Sequence, residues 1–312
     1  MKKTTVMLTG GLGNQMFQIV AGISLCNSSE LFVETKLGKP RMSINGNPDL
    51  FEFKLFDNLK VISKKYSYFI SKVCGYNLRI GVSPRDFEKN YLWKKIISFC
   101  SFLILSLYFR EPTIIINDER VSQFNKYRKF NKLLVGYFQN IDFISGISQE
   151  ELNNLFSVKS ESLNLIKLAK DSDKKDIVII HVRLGDYNFE PEIGILSQNY
   201  YTNAINKIEN SAGIEEIWLF SNEINKAINY FPENYKSRIH SVEQKIETSA
   251  ELLQVMTLGK HYIIANSTLS WWAAFLGASE KSIVISPYPW FKLKNEKSNF
   301  IPQSWERIDG WK

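Results

Sequence analysis

Cysteine and histidine are scarce, with three of each in 312 residues. Cys26, Cys74 and Cys100 lie far apart in no metal-ligand spacing, and an odd count excludes a fully paired disulfide framework. A reducing, cytoplasmic setting is therefore expected. No apolar run reaches the roughly 20 residues that crossing a bilayer takes. The longest, Ile96 to Phe109, has 14 residues and includes three serines. It reads as a buried or interfacial helix, with Lys94 and Lys95 at one end and Arg110 at the other. That leaves peripheral contact with the inner face of the cytoplasmic membrane open. The first residues start like a signal peptide but turn into a glycine loop after too few apolar positions. Internal repeats and low-complexity tracts are absent. Acids are only slightly outnumbered, 32 against 39 Lys and Arg, for a net charge of +7. Such a balance favours anionic partners, but the basic residues are scattered and form no nucleic-acid recognition motif, so no nucleic acid is expected as partner.

What is present suits two domains of ordinary size. Hydrophobic residues make up 44% and charged residues 23%, the composition of a folded chain. Strands are expected at Thr5–Thr9, Leu31–Glu34 and Leu133–Gly136, with a helix over Asn14–Cys26. From Lys36 to Asp118 the pattern is irregular. The second half alternates strands (Ile177–Val182, Glu216–Phe220, Arg238–Val242, Tyr262–Ala265, Ser282–Ser286) with helices (Asn199–Asn210, Glu223–Phe231, Glu251–Leu258, Thr268–Leu276). Gly259 and Gly277, each just past a helix, are expected to supply left-handed caps. Short links between alternating elements imply parallel, doubly wound sheets, which bind ligands beyond the carboxyl ends of their strands. The expectation is an α/β chain with two Rossmann-like domains facing across a cleft, 1–160 and 161–312.

Three constellations sit at such strand ends. Gly10-Gly11-Leu12-Gly13-Asn14-Gln15 is strand, glycine loop and helix, an arrangement that lets backbone N–H groups approach an anion. It lacks the third glycine of the dinucleotide fingerprint and the Gly-Lys-Ser/Thr of a Walker loop. Its plainer reading is a tight turn with Asn14 as N-cap. His181-Val182-Arg183-Leu184-Gly185-Asp186-Tyr187 follows a buried strand, so His181 and Arg183 point to one face. Arg183 can bind phosphate oxygens in bidentate fashion, and Asp186 can brace Arg183 or meet a substrate hydroxyl. Equally, the pair could pin a loop while His181 is a satisfied core histidine. Thr248-Ser249-Ala250-Glu251 reads as a capping box. Beyond it, Asn266-Ser267-Thr268-Leu269-Ser270-Trp271-Trp272 offers amides and hydroxyls at a strand-to-helix junction. Trp271 and Trp272 are expected to pack their helix onto the sheet.

At these places the chain resembles the alpha-1,2-fucosyltransferases of glycosyltransferase family 11. Gly10 to Gln18 is similar to the family's N-terminal motif, and His181 to Tyr187 to its His-x-Arg-Arg-Gly-Asp-Tyr signature. Phe220-Ser221-Asn222 and Ala265 to Ala273 are similar to its later blocks, and Gly136-Tyr137-Phe138-Gln139 to a further one. The ordered matches span nearly the whole chain. The resemblance implies a GT-B-like, metal-independent enzyme without a cofactor that uses GDP-fucose as donor. Its acceptor would be a galactose-terminated oligosaccharide or a lipid-linked glycan, as in O-antigen or oligosaccharide biosynthesis.

By that resemblance the C-terminal domain holds the donor and the N-terminal domain the acceptor. Arg183 grips the pyrophosphate, His181 lies beside the nucleotide, and Gly11, Gly13, Asn14 and Gln15 of the glycine loop also bind the donor, Asn14 reaching into the cleft. Ser221, Asn222, Asn266, Ser267, Thr268 and Ser270 add donor contacts, and Glu251 stands where the family has an Asp near guanine. Leu184 departs from the signature's second Arg. Glu190, Glu192 and Asp186 are the candidates for a general base. The rival readings are another nucleotide-sugar transferase and a non-catalytic GDP-sugar or glycan-binding protein.

Overall fold

The run Thr4–Met7 (β1), fully buried, starts the first of two parallel sheets in the computed structural model. The residues described are 2–26, 31–38, 40–43, 45–55, 60–62, 91–172, 175–242, 246–293 and 299–312. The chain divides into two compact units, Met1–Phe51 with Leu55–Ile147 and Glu52–Lys54 with Ser148–Lys312. The short helix Gln149–Leu155 thus belongs to the second unit, ahead of the boundary drawn at residue 160 from sequence. Cys74 lies outside the described residues.

In the first unit β1 is joined by β2 (Leu31–Glu34), β3 (Lys60–Ile62), β4 (Thr113–Asn117) and β5 (Asn131–Val135), all parallel, in the order β3-β2-β1-β5-β4. Helix α1 (Leu12–Cys26) links β1 to β2 on one side, and the chain later returns to place β5 on the other. The carboxyl ends of β1 and β5 therefore flank a topological switch point, where open sheets leave room for a ligand. Helix α2 (Tyr91–Phe109) packs Leu105 and Tyr108 against Met7, Leu37, Leu133 and Val135. The Tyr108 hydroxyl reaches the buried Glu34 Oε1 at 3.2 Å, fixing the helix by a polar bond as well as by packing. So the apolar run 96–109 is a helix with one buried face.

The second unit carries β6 (Ile177–Val182), β7 (Glu216–Ser221), β8 (Ile239–Ser241), β9 (His261–Ile263), β10 (Val284–Tyr288) and β11 (Glu306–Asp309) in one parallel sheet, order β11-β10-β9-β6-β7-β8. Its helices include α3 (Gln198–Ala212), α4 (Ser249–Met256) and α5 (Thr268–Gly277). The chain winds outward from β6 through β7 to β8, then crosses back to β9. The second switch point thus lies at the carboxyl ends of β6 and β9.

Two expectations change in detail. The segment expected as one helix, Glu223–Phe231, is a turn of α-helix at Ile224–Ala227 followed by a 3-10 turn, Ile228–Tyr230. Gly259 and Gly277 do not take positive φ; after helices, positive φ is found at Arg110 (60°) and Gly213 (74°). The lack of a side chain at Gly259 and Gly277 serves close packing. A Cβ at Gly259 would lie 2.3 Å from Ile179 Cγ1, and one at Gly277 would lie 2.2 Å from the Tyr262 hydroxyl.

Trp271 and Trp272 fill the core under α5, as expected. Trp271 is fully buried, stacks on Phe275 and Phe300 at 4.8 and 5.7 Å, and donates its indole N–H to Phe300 O at 3.1 Å. Trp272 meets Phe156 at 5.4 Å, and Phe156 meets Phe53 at 5.5 Å. That contact, with a β-bridge from Phe53 to Val158, is why the isolated stretch Glu52–Lys54 belongs to the second unit.

Candidate functional site

At the switch point of the first unit, Gly10 takes φ 71°, and the helix starts at Leu12, two residues earlier than the sequence suggested. The amides of Asn14 and Gln15 both bond to Gly11 O, at 3.0 and 3.1 Å, so Asn14 lies within the first turn rather than at the N-cap. Nothing would lie within 4 Å of a Cβ on Gly11, which leaves the loop's outer surface open. Gln15 is committed elsewhere. Its Nε2 donates to Gly10 O (2.9 Å) and Arg41 O (3.1 Å), its Oε1 accepts from Leu50 N (3.1 Å), and the side chain is fully buried. Gln18 likewise joins Thr9 N to Gly136 O. Asn14 is the member of the pair left toward the surface; its Oδ1 accepts from Gln139 Nε2 at 3.0 Å, across the β1/β5 switch point. Removing Gln15 orphans the buried Leu50 N–H, at about 1–3 kcal/mol, and takes one donor each from Gly10 O and Arg41 O, which keep their bonds from Arg41 N and Asp49 N. Gln15→Ala should then lose about 3 kcal/mol in urea unfolding, and Asn14→Ala less than about 1 kcal/mol. Equal losses would contradict this division of labour.

The second unit concentrates its unspent polar atoms at its own switch point. Along β6 and just beyond, Val178, Ile180, Val182 and Leu184 face the core against α3. Strand alternation then puts His181 and Arg183 together on the opposite face. Arg183 Nη2 pairs with Asp186 Oδ2 at 2.7 Å, and its guanidinium lies 5.5 Å from the Tyr187 ring centroid. Its Nε is buried with no partner. His181 Nδ1 and Asn266 Oδ1 are also buried and unpartnered. Buried polar groups are nearly always satisfied, so three orphans on neighbouring strand ends make this the candidate binding place of the second unit.

Other groups hold the shape. Asn222, after β7, accepts from Leu184 N at 3.0 Å and donates to Asp186 Oδ1 at 3.4 Å. Gly185, at φ 48°, has no room for a side chain because a Cβ would lie 2.4 Å from Asn222 Nδ2. The Tyr187 hydroxyl donates to Asn266 O at 3.1 Å, tying the β6 loop to the β9 loop, and burial pushes its pKa up to about 12. Asn266 Nδ2 donates to Ile193 O and Gly194 O, both at 3.1 Å, which anchors the segment that follows Glu190 and Glu192. Both of those carboxylates are exposed. Ser267 is the N-cap of α5 but makes no side-chain cap bond, so the first-turn amides beginning at Thr268 have no side-chain acceptor of their own.

His181 is held down to about 3, first by burial and second by the charge of Arg183. It is therefore neutral at physiological pH. The unfolded chain takes up this proton below about 6.5 and the folded chain does not, so stability falls as pH drops from about 6.5 toward 3. At pH 5 the difference is about 2 kcal/mol. His181→Gln should flatten the change in unfolding free energy between pH 7 and pH 5 by that amount; an unchanged slope would place the proton on another group.

The remaining sequence candidates are spent inside the fold. Ser270 Oγ donates to Ser267 O (3.1 Å) and Ala265 O (3.3 Å), and Ser221 Oγ accepts from Glu223 N (3.1 Å). Glu251 accepts from Ser162 N at 3.1 Å and Glu247 N at 3.4 Å, while its own amide bonds to Thr248 Oγ1 at 3.2 Å. Thr248 thus caps α4, while the Glu251 carboxylate holds the residue before that cap and clasps a segment 89 residues away. Among the described residues no group of three or more His, Cys, Asp and Glu is placed to hold a metal ion.

Residues 102–309 match the sequence profile of Glycosyl transferase family 11. The chain belongs to glycosyl transferase family 11. Over 96% of its length it is 30% identical to the Escherichia coli O-antigen biosynthesis glycosyltransferase WbnK, of which the match covers 98%. Over 97% it is 26% identical to an Escherichia coli alpha-1,2-colitosyltransferase, again covering 97% of that protein. Among solved structures it is similar to the fucosyltransferase NodZ from Bradyrhizobium (12% identity, 88% of this chain and 94% of that one, TM-score 0.47). It is also similar to E. coli ADP-heptose lps heptosyltransferase II (12% identity, 99% and 90%, TM-score 0.49).

As a family 11 glycosyltransferase the chain departs from the signature at Leu184, and the structure gives the reason. Leu184 is 4% exposed and continues the core face of β6, away from Arg183. The substitution takes no cation from the face that carries His181 and Arg183. Tyr187 and Gln139 were not among the sequence candidates for the site. Both lie in the quoted motifs, but only their long-range bonds, to Asn266 and Asn14, reveal what they do.

Proposed function

We propose that this glycosyltransferase moves L-fucose from GDP-β-L-fucose to the 2-hydroxyl of a terminal galactose, with inversion and without a metal, giving an α-1,2 linkage. The observation that carries the reading is the β6/β9 switch point, with the unspent Arg183 Nε, the neutral His181 and the amides of α5 gathered at one sheet edge. Breaking the bond from fucose C1 to the β-phosphate oxygen leaves the electron pair, and a growing negative charge, on GDP. A guanidinium and a helix N-terminus, fixed beforehand, stabilise that charge as it forms. Asp186 and Tyr187 hold the guanidinium in place, the first by an ion pair and the second by its ring. His181, uncharged, contributes a hydrogen bond and not a second cation. Glu190 and Glu192, exposed beyond the same loop, are the carboxylates available to take the acceptor's proton. The acceptor, a galactose-terminated oligosaccharide or lipid-linked glycan in a cytoplasmic pathway, is assigned to the first unit and its Asn14–Gln139 pair.

The relative named alpha-1,2-colitosyltransferase supports the same linkage while favouring a second donor, a colitose in place of fucose. GDP release from GDP-fucose and from GDP-colitose, measured with chelator against a panel of β-galactosides and followed by NMR of the product linkage, tests both. An α-1,2-fucoside is expected. Donor binding without GDP release, or a requirement for a divalent ion, would overturn the proposal.

A further inference from the structure

Helix α2 has apolar residues on both of its long faces, yet only one is buried. Ser101, Leu105 and Tyr108 are buried against the first unit, while Phe99, Leu103 and Leu107 are 61%, 45% and 79% exposed. These three follow one another at intervals of four residues, so they form a stripe about 12 Å long on the outer surface. An amphipathic surface helix would place polar residues there. A continuous exposed apolar stripe marks a contact surface. The helix is firmly seated through Leu105, Tyr108 and the Tyr108–Glu34 bond, so the stripe is presented on a fixed element.

Charge identifies what covers it. Phe102 of the same helix meets Phe130 at 6.2 Å between ring centroids, which brings the end of the segment 119–130 against this helix. That segment contains Arg120, Lys126, Arg128 and Lys129 against one acid, Glu119. All four cations are exposed, and among the described residues no carboxylate pairs with Lys126, Arg128 or Lys129. Arg110, also exposed, ends the helix at φ 60°. An exposed apolar stripe on a helix that meets a segment of exposed cations fits a surface that is apolar below and anionic above. A protein partner would need its own acidic rim, whereas a bilayer of anionic lipid presents both features everywhere. Among the described residues no helix is long and apolar enough to cross a membrane, so the fit is to the interface plane.

We propose that the Phe99–Leu103–Leu107 stripe and the Lys126–Lys129 segment together dock this enzyme on anionic lipid bilayers. Apolar insertion and attraction of Lys and Arg to acidic headgroups add, and both are needed for lasting attachment. The test is co-sedimentation of the full chain with vesicles of phosphatidylcholine alone or mixed with phosphatidylglycerol. Binding to the anionic vesicles is expected, weakening with salt. It should fall about tenfold or more in Phe99→Ser/Leu103→Ser/Leu107→Ser and in Lys126→Glu/Arg128→Glu/Lys129→Glu. Release of GDP with a soluble acceptor should be unchanged in both. If the apolar triple variant is misfolded by its melting curve, Leu107→Ser alone decides, with a loss of about threefold. Failure to bind, equal binding to neutral vesicles, undiminished binding of the variants, or self-association through Leu107 in place of vesicle binding would each overturn the proposal.

Discussion

Arg183→Ala is expected to lower turnover at least about a hundredfold while leaving the unfolding transition within about 1 kcal/mol of the parent. The two halves of that expectation have separate causes. The guanidinium is half-buried, its ion pair is to the exposed Asp186, and exposed pairs contribute about 1 kcal/mol at most. Nothing in the core depends on it, because the core face of β6 is made by Val178, Ile180, Val182 and Leu184. In the reaction, by contrast, it would meet charge that exists fully only as the donor bond breaks, where one lost donor typically costs a hundredfold to a thousandfold. Arg183→Lys should recover little, since a lysine has no Nε–H in the orphaned position and cannot bind two oxygens from one plane. Near-parental turnover in a folded Arg183→Ala variant would remove the residue from the mechanism.

Trp271→Ala should be the most damaging change to stability, at about 3–5 kcal/mol in urea unfolding. The indole touches Phe275, Phe300 and Trp305, and its N–H satisfies Phe300 O. Truncation leaves a cavity among rigid rings and an unpaired carbonyl beside it. The consequence reaches the site indirectly, since Trp271 closes the first turn of the helix that Thr268 starts. Its backbone placement should loosen before the helix itself is lost. A cost below about 1 kcal/mol would mean that the rings collapse into the space, contrary to the close packing around them.

The strands of the second unit were legible because a strand buried on both faces is a continuous apolar run, as in Ile177–Val182. Edge strands are not: Glu306–Asp309 alternates half-buried and exposed residues, carries three charges in four positions, and reads as loop. In the first unit β4, Thr113–Asn117, follows the apolar helix too closely for its own boundary to stand out. Glycines were identified but their reason was not, since a left-handed cap and a close approach look alike in sequence; Gly259 and Gly277 prove to be the latter.

For the candidate site, the motifs fall on the loops at the two switch points, while the state of each atom is not legible in them. Gln15 and Asn14 are neighbours of similar chemistry, and only the folding of Leu50 and Arg41 onto the loop consumes Gln15. Glu251 fits a capping box by spacing, yet the amide of Ser162, far away in sequence, takes one of its oxygens. Arg183 could have been a loop-pinning residue by pattern. Its pairing with Asp186 agrees with that reading, and its buried, unpartnered Nε goes beyond it.

A crystal soaked with GDP, resolved well enough to place both phosphates, bears most directly on the donor site. The β-phosphate should lie within hydrogen-bond reach of Arg183 and of the backbone N–H of Thr268, with no divalent ion between. A diphosphate bound away from the ends of β6 and β9, or held through a metal, would contradict the account.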